Sequence, residues 1–183
     1  MDRKEALNSI RENVGNQNLV KHMLAAEAVM RALAQRLGED EEEWGLTGLL
    51  HDIDVELTEG DMKAHSKLGA DLAQELGASE AMSHAILCHN QAHGVTCDSR
   101  LDKALFCADP LTGLITAAAL VRPDKKLAGL TAKSVLKRFK ENRFAAAVDR
   151  EQISSCGELG LELGEFVDLG LKAMQDIASA LEL

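Results

Sequence analysis

Apolar side chains recur at Leu19, Met23, Ala26, Met30, Leu33 and Leu37, at intervals of three and four that fall on one face of a helix. The spacing predicts a helix over 17–37, and Gly38 is its natural stop. A second helix is expected from about Glu41 to Ile53 through Trp44, Leu46, Leu49 and Leu50, and a third from about Met62 to Leu76, ended by Gly77. Ser79 caps a fourth that reaches about Gln91 and is broken at His93-Gly94. After a loop over 95–99, a long apolar segment runs from Leu101 to Val121 with one proline inside it. The residue before a proline is pushed out of helical geometry, so a kink is expected at Asp109-Pro110. Beyond Pro123, helices are expected near 131–139, 141–147, 149–156 and 163–182. No segment carries the alternation of a half-buried strand, and no repeat or linker divides the chain. The pattern therefore predicts one all-α domain over 1–183.

Composition agrees with that reading. Ala, Leu, Glu, Lys, Met and Gln dominate, tyrosine is absent and there are only two prolines. With 183 residues and 46% hydrophobic content, the chain can bury a sizeable core without staples. Cys88, Cys97, Cys107 and Cys156 lie far apart behind no secretory leader, which points to reduced thiols and the cytoplasm. The absence of a run of about 18 wholly apolar residues argues against a membrane partner.

A net charge of −10 and 3% aromatics argue against a long nucleic-acid partner, because phosphates are repelled and unpaired bases find few stacking rings. The charge is uneven, however. Residues 122 to 143 hold eight basic side chains against two acids, a local +6. This segment is either a solvated helix face or a rim that attracts phosphate.

Polar residues inside apolar stretches carry the chemistry. His22 sits on or beside the apolar face of the first predicted helix, with Ala26, Val29 and Leu33 following it. His51 and Asp52 stand between Leu49-Leu50 and Ile53, and no lysine or arginine lies between Arg36 and Lys63 to pair the acid locally. Asp109 is likewise the one acid between Leu105-Phe106-Cys107-Ala108 and Leu111, Leu114 and Ile115. Burying a carboxylate costs several kcal/mol or more unless a cation or several hydrogen bonds offset it. A bound divalent cation meets that need for both acids.

The order of His22, His51-Asp52 after 29 positions and Asp109 after a further 57 resembles the HD superfamily of metal-dependent phosphohydrolases. The likeness covers about residues 17–122, with 123–183 as additional helices packed on that core. "LLHDID" and "ADPLTGLI" are most similar to small bacterial HDIG-type proteins. The resemblance implies an all-α HD bundle in which His22, His51, Asp52 and Asp109 bind one divalent ion. "KAHSKLGADLAQELG" and "SHAILCHN" extend it and imply that His65 and His89 hold a second ion, bridged to the first by Asp52. Asp52 would also orient the attacking water.

This mixed His and Asp set suits iron, manganese, cobalt, nickel or zinc, in one or two copies. Metal-activated water acting on a small phosphorylated substrate, a phosphomonoester or nucleotide, is the expected chemistry. His93 and Arg122 are candidate substrate contacts, and His84 is read as structural. The chain departs from the resemblance at His51-Asp52-Ile53-Asp54-Val55, where many two-metal relatives continue with Gly-Lys. Asp54 is read there as an exposed or capping acid, with a general-acid role as the alternative. Cys88 and Cys97 lack the close pairing along the chain of a closed zinc site and are read as reduced thiols. Two other classes remain open on these ligands: a diiron oxygenase of the same fold, and a non-catalytic metal-binding regulatory module.

Overall fold

A computed structural model describes residues 1–183 as ten α-helices with no strand. They are α1 (Arg3–Asn13), α2 (Gln17–Leu37), α3 (Glu41–Leu50), α4 (Lys67–Glu75) and α5 (Glu80–His89), followed by α6 (Arg100–Leu120), α7 (Ala132–Phe139), α8 (Arg150–Ser154), α9 (Leu163–Asp176) and α10 (Ala178–Leu181).

The two 21-residue helices, α2 and α6, form the centre of the bundle. Helix α3 packs along α2, α5 along α6, and α9 lies against both central helices. One apolar core runs through all of them. Met23, Met30 and Leu33 of α2 meet Leu105, Leu111 and Leu114 of α6 and Phe166 and Met174 of α9 in it. Helix starts are set by side-chain caps, as the sequence suggested at Ser79, whose hydroxyl accepts from the Met82 N–H. Gly38 adopts a left-handed conformation with φ of 73° and ends α2 where the pattern placed the stop.

Three expectations change. Helix α6 continues through Pro110, its packing on α2, α5 and α9 outweighing the lost backbone hydrogen bond. It is also long and apolar enough to cross a membrane by length and composition, and 56% of that apolar window is buried inside the bundle. The second and third predicted helices are shorter than expected, since 51–60 and 62–66 form successive turns between Leu50 and Lys67. Residues 142–147 are likewise turns. Helix α1, which the apolar pattern did not reveal, begins with an Asp2/Glu5 capping box and is tied to α2 by Arg3, which donates to Glu27 at 2.6 and 2.8 Å.

Gly48 brings the site together. A Cβ there would lie 2.8 Å from the Ala26 carbonyl oxygen, so its absence lets α3 approach the backbone of α2. His51, one turn later, is thereby held beside His22.

Candidate metal centre

Six side chains from five parts of the fold converge. His22 comes from α2, His51 and Asp52 from the end of α3, His65 from the turns before α4, His89 from the last turn of α5 and Asp109 from the middle of α6. His22 Nε2 lies 3.2 Å from His51 Nε2, 3.0 Å from Asp109 Oδ1 and 3.5 Å from Asp52 Oδ2. His51 Nε2 is 3.4 Å from the same Asp52 oxygen and 3.7 Å from Asp109 Oδ1. Donors around one first-row ion at about 2.0–2.2 Å are separated by about 3.0–3.6 Å, so these spacings suit a divalent cation, and two groups of three donors, His22, His51 and Asp109, and His51, Asp52 and His89, each lie within 4.8 Å of one another. The other Asp52 oxygen, Oδ1, faces His65 Nε2 at 3.4 Å and His89 Nε2 at 3.5 Å. One carboxylate thus presents an oxygen to each of two pairs of imidazoles.

The far side of each ring is tethered. His51 Nδ1 donates to the Gly48 carbonyl at 2.8 Å and His89 Nδ1 to the Ile86 carbonyl at 2.5 Å. His65 Nδ1 donates to Asp54 Oδ1 at 2.9 Å. The Thr112 hydroxyl gives its hydrogen to the Asp109 carbonyl at 2.8 Å and accepts from His22 Nδ1 at 3.0 Å. With every Nδ1 acting as donor, the neutral form of each ring turns its Nε2 lone pair toward Asp52 or Asp109.

The electrostatics express a demand for positive charge. Burial pulls the His22 imidazole down, but Asp109 and Asp52 outweigh it and raise its pKa to about 10. His51 is also raised: burial opposes protonation there, and the charges of Asp52 and Asp109 prevail. Burial pushes both carboxylates up, yet the imidazoles hold Asp52 and Asp109 well below the usual carboxylate range. Without a metal, protons on the histidines serve as the cation.

Asp52, His65, His89 and Asp109 line a cavity of about 330 Å³, whose rim includes Asn90, Asp149 and Gln152. A second cavity of about 560 Å³ also reaches His22 and is lined by Lys21, Thr116, Ala117 and Leu120 among others. Neither His93 nor Arg122 lines either one. His93 Nε2 donates to the His65 carbonyl at 2.6 Å and braces that turn. Arg122 is taken up by Asp124, at 2.9 and 3.0 Å, and by the Gly129 carbonyl. His84 contacts Asp102 at 3.1 Å, away from this cluster.

Asp54 is neither exposed nor a helix cap. It is fully buried, and besides His65 it accepts from the Ser66 and Gly69 N–H groups at 2.8 and 2.9 Å. Its carboxylate therefore shapes the turn that delivers His65. Thr112 is the other functional residue that the sequence reading missed. Its position three residues after Asp109 was the available signal, because a hydroxyl there can bond back to the helix carbonyl.

The HD domain family pattern matches residues 19–114, more than half of the chain and a span that contains all six converging residues. Among curated relatives, Ribonuclease Y of Oleidesulfovibrio alaskensis is 34% identical over 98 residues, 54% of this chain and 18% of its own. Ribonuclease Y of Sulfurovum sp. is 29% identical over 153 residues, 83% of this chain and 28% of its own. That of Thermobifida fusca is 33% identical over 98 residues, 53% of this chain and 19% of its own. This chain thus spans less than a third of the length of each of these relatives. No solved structure matches it significantly.

These relatives bear the name of a ribonuclease, which overturns the exclusion of nucleic acid drawn above from net charge and aromatic content. The physical reason is that net charge sums over the whole surface, whereas a phosphate responds to charge within about a Debye length of it. Lys125, Lys126, Lys133, Lys137, Lys140 and Arg143 are all exposed on one stretch of an acidic protein.

Proposed function

This chain belongs to the HD domain family, and on that premise we propose that it is a metal-dependent hydrolase acting on the phosphoester of a ribonucleotide. The observation that carries the reading is the arrangement around Asp52, whose two oxygens each face a pair of tethered imidazoles. In this reading His22, His51, Asp52 and Asp109 hold one divalent transition-metal ion, and His65 and His89 share Asp52 with a second. A bound ion of this kind lowers the pKa of water toward about 7 and offsets charge on phosphoryl oxygens.

The protein's own contribution is positional. Asp52, at the floor of the cavity, accepts a hydrogen bond from the attacking water and aims its lone pair at phosphorus. Asp54 and Thr112 hold the His65 and His22 rings so that little reorganisation is needed on substrate entry. Asp149, at the rim, accepts from the Glu151 and Gln152 N–H groups as a helix cap. Gln152 beside it can donate a hydrogen bond to a phosphoryl oxygen.

The ribonucleotide assignment rests on the relatives' names and on the cavity that reaches His22, where Leu120 and Ala117 offer an apolar wall for a base. The test is a panel of an oligoribonucleotide, a mononucleotide, a dinucleoside phosphate and simple aryl phosphates, each with manganese, iron(II), cobalt, nickel or zinc. Metal-dependent cleavage of a ribonucleotide ester that is lost in Asp52→Ala is the expected result. A fully active, metal-loaded Asp52→Ala protein would overturn the reading, as would an inert wild type that consumes oxygen with iron.

A further inference from the structure

We propose a second, separate metal centre in this protein: a zinc site built by His84, Cys88, Cys97 and Asp102. His84 and Cys88 are one turn apart on α5, Asp102 lies in the first turn of α6, and Cys97 comes from the segment between those helices. A ring nitrogen of His84, the sulfur of Cys88 and a carboxylate oxygen of Asp102 all lie within 4.8 Å of one another. His84 Nδ1 stands 3.1 Å from Asp102 Oδ2, and the Cys97 and Cys88 sulfurs are 2.9 Å apart.

The Asp102 carboxylate is what demands a cation. Its side chain is 2% exposed, and Oδ2 already accepts from the Asp98 and Ser99 N–H groups at 3.0 and 2.9 Å. Oδ1 is buried with no hydrogen-bond partner at all. The nearby Lys103 is directed to Glu158 at 3.3 Å. A buried carboxylate oxygen without a donor is costly, and an ion placed among these groups removes the deficit. A disulfide would use the two sulfurs and leave Asp102 as it is.

Two thiolates, an imidazole and a carboxylate form a soft, four-donor set that selects zinc over magnesium or calcium. Sulfurs bound to one zinc at about 2.3 Å sit about 3.8 Å apart, so the pair opens by roughly an ångström. Cys97, outside any helix, can supply that movement. A cavity of about 370 Å³ lined by Cys88, Cys97 and Gln91 among others gives the ion a way in. Binding replaces the two thiol protons, which pass to solvent, and no oxidant is needed. Close ligand pairs along the chain are absent, as the sequence showed, but the helical turn from His84 to Cys88 and the return of Cys97 assemble the set in space.

Cobalt(II) reports this centre selectively, because thiolate-to-cobalt charge transfer requires a cysteine and none lines the site around Asp52. Reduced, metal-stripped full chain is titrated with cobalt(II), and then with zinc. The expected result is a charge-transfer band that saturates with one cobalt per chain, is bleached by zinc, and is lost or weakened roughly tenfold or more in affinity in Cys97→Ser. Circular dichroism verifies that this loop variant is folded, and Asp102→Asn, which keeps one oxygen to accept from the Asp98 and Ser99 N–H groups, should weaken the band as well. The absence of any such band with all four thiols reactive would overturn the proposal. So would a band unchanged in Cys97→Ser, or protein isolated without reductant whose mass shows Cys88 and Cys97 joined.

Discussion

Asp52 and Asp54 are two residues apart, both acids in the same apolar stretch, and the fold gives them opposite duties. Asp52 faces four imidazoles with both oxygens, while Asp54 is spent on one imidazole and two backbone N–H groups. Asp52 and Asp109 stood out in the sequence because a buried acid without a local cation asks for one, whereas His65 and His89 were read from the family resemblance. The role of Asp54 was not legible, since its partners lie 11 to 15 positions onward in a turn whose shape no periodicity encodes. Ser66 holds a left-handed φ of 72° there, against its intrinsic preference, with its N–H fixed by Asp54. Asp54→Asn is accordingly expected to lower metal affinity by about 10- to 100-fold, measured by competition with a chromophoric chelator. An unchanged affinity would mean that His65 is positioned by something else. The pKa shifts carry a second expectation, for metal-free protein. His22 is raised from its ordinary 6.5 to about 10, so its contribution to stability is complete below about pH 6.5 and is lost as pH rises through 10. The lowered carboxylates contribute above their ordinary 3.8 and lose that contribution as pH falls through their depressed values. Chelated protein should therefore show a denaturation midpoint that declines from pH 6.5 toward 10. Metal-loaded protein should decline less, because the ion replaces the proton on His22.

At the scale of elements, the long helices were readable from apolar spacing and the short polar ones were not. Helix α2 was visible from Leu19 to Leu37, whereas α1 buries only Ala6 and Ile10 and depends on an ion pair with a distant partner. That partner, Glu27, is nearly buried and accepts from Arg3 and from Arg31. Residues 51–53 and 62–66 were expected to extend the flanking helices, but they form turns, and these bring His51, Asp52 and His65 together. The closeness of α2 and α3 tests this view. Gly48→Ala introduces a methyl 2.8 Å from the Ala26 carbonyl oxygen, with helix backbone rather than a flexible side chain in its way. The substitution is expected to cost about 1–3 kcal/mol in urea denaturation and to weaken metal binding by separating His22 from His51. A stable Gly48→Ala protein with normal metal content would show that the two helices have slack.

For the whole molecule, composition foretold the all-α class correctly and misjudged the partner. An acidic total concealed a segment whose exposed cations stand apart from the acids elsewhere. Two of its eight basic groups form ion pairs, Arg122 with Asp124 and Arg138 with Glu141, and Lys126 reaches the Glu182 carbonyl. If an RNA strand is the substrate, the exposed lysines set its affinity, so Lys133→Glu/Lys137→Glu/Lys140→Glu is expected to raise KM for an oligoribonucleotide and flatten its salt dependence. Turnover of a mononucleotide should be unaffected, and an equal loss on both substrates would remove these lysines from recognition.

The shared carboxylate of Asp52 also ranks the ways this protein can change by descent. In the two-ion reading proposed above, losing His65 or His89 removes one claimant on a single oxygen and leaves the four donors assigned to the other ion whole. On that reading a lineage can slide from a paired to a solitary ion by one codon change and still have a scaffold to refine, whereas losing Asp52 strips both positions at once.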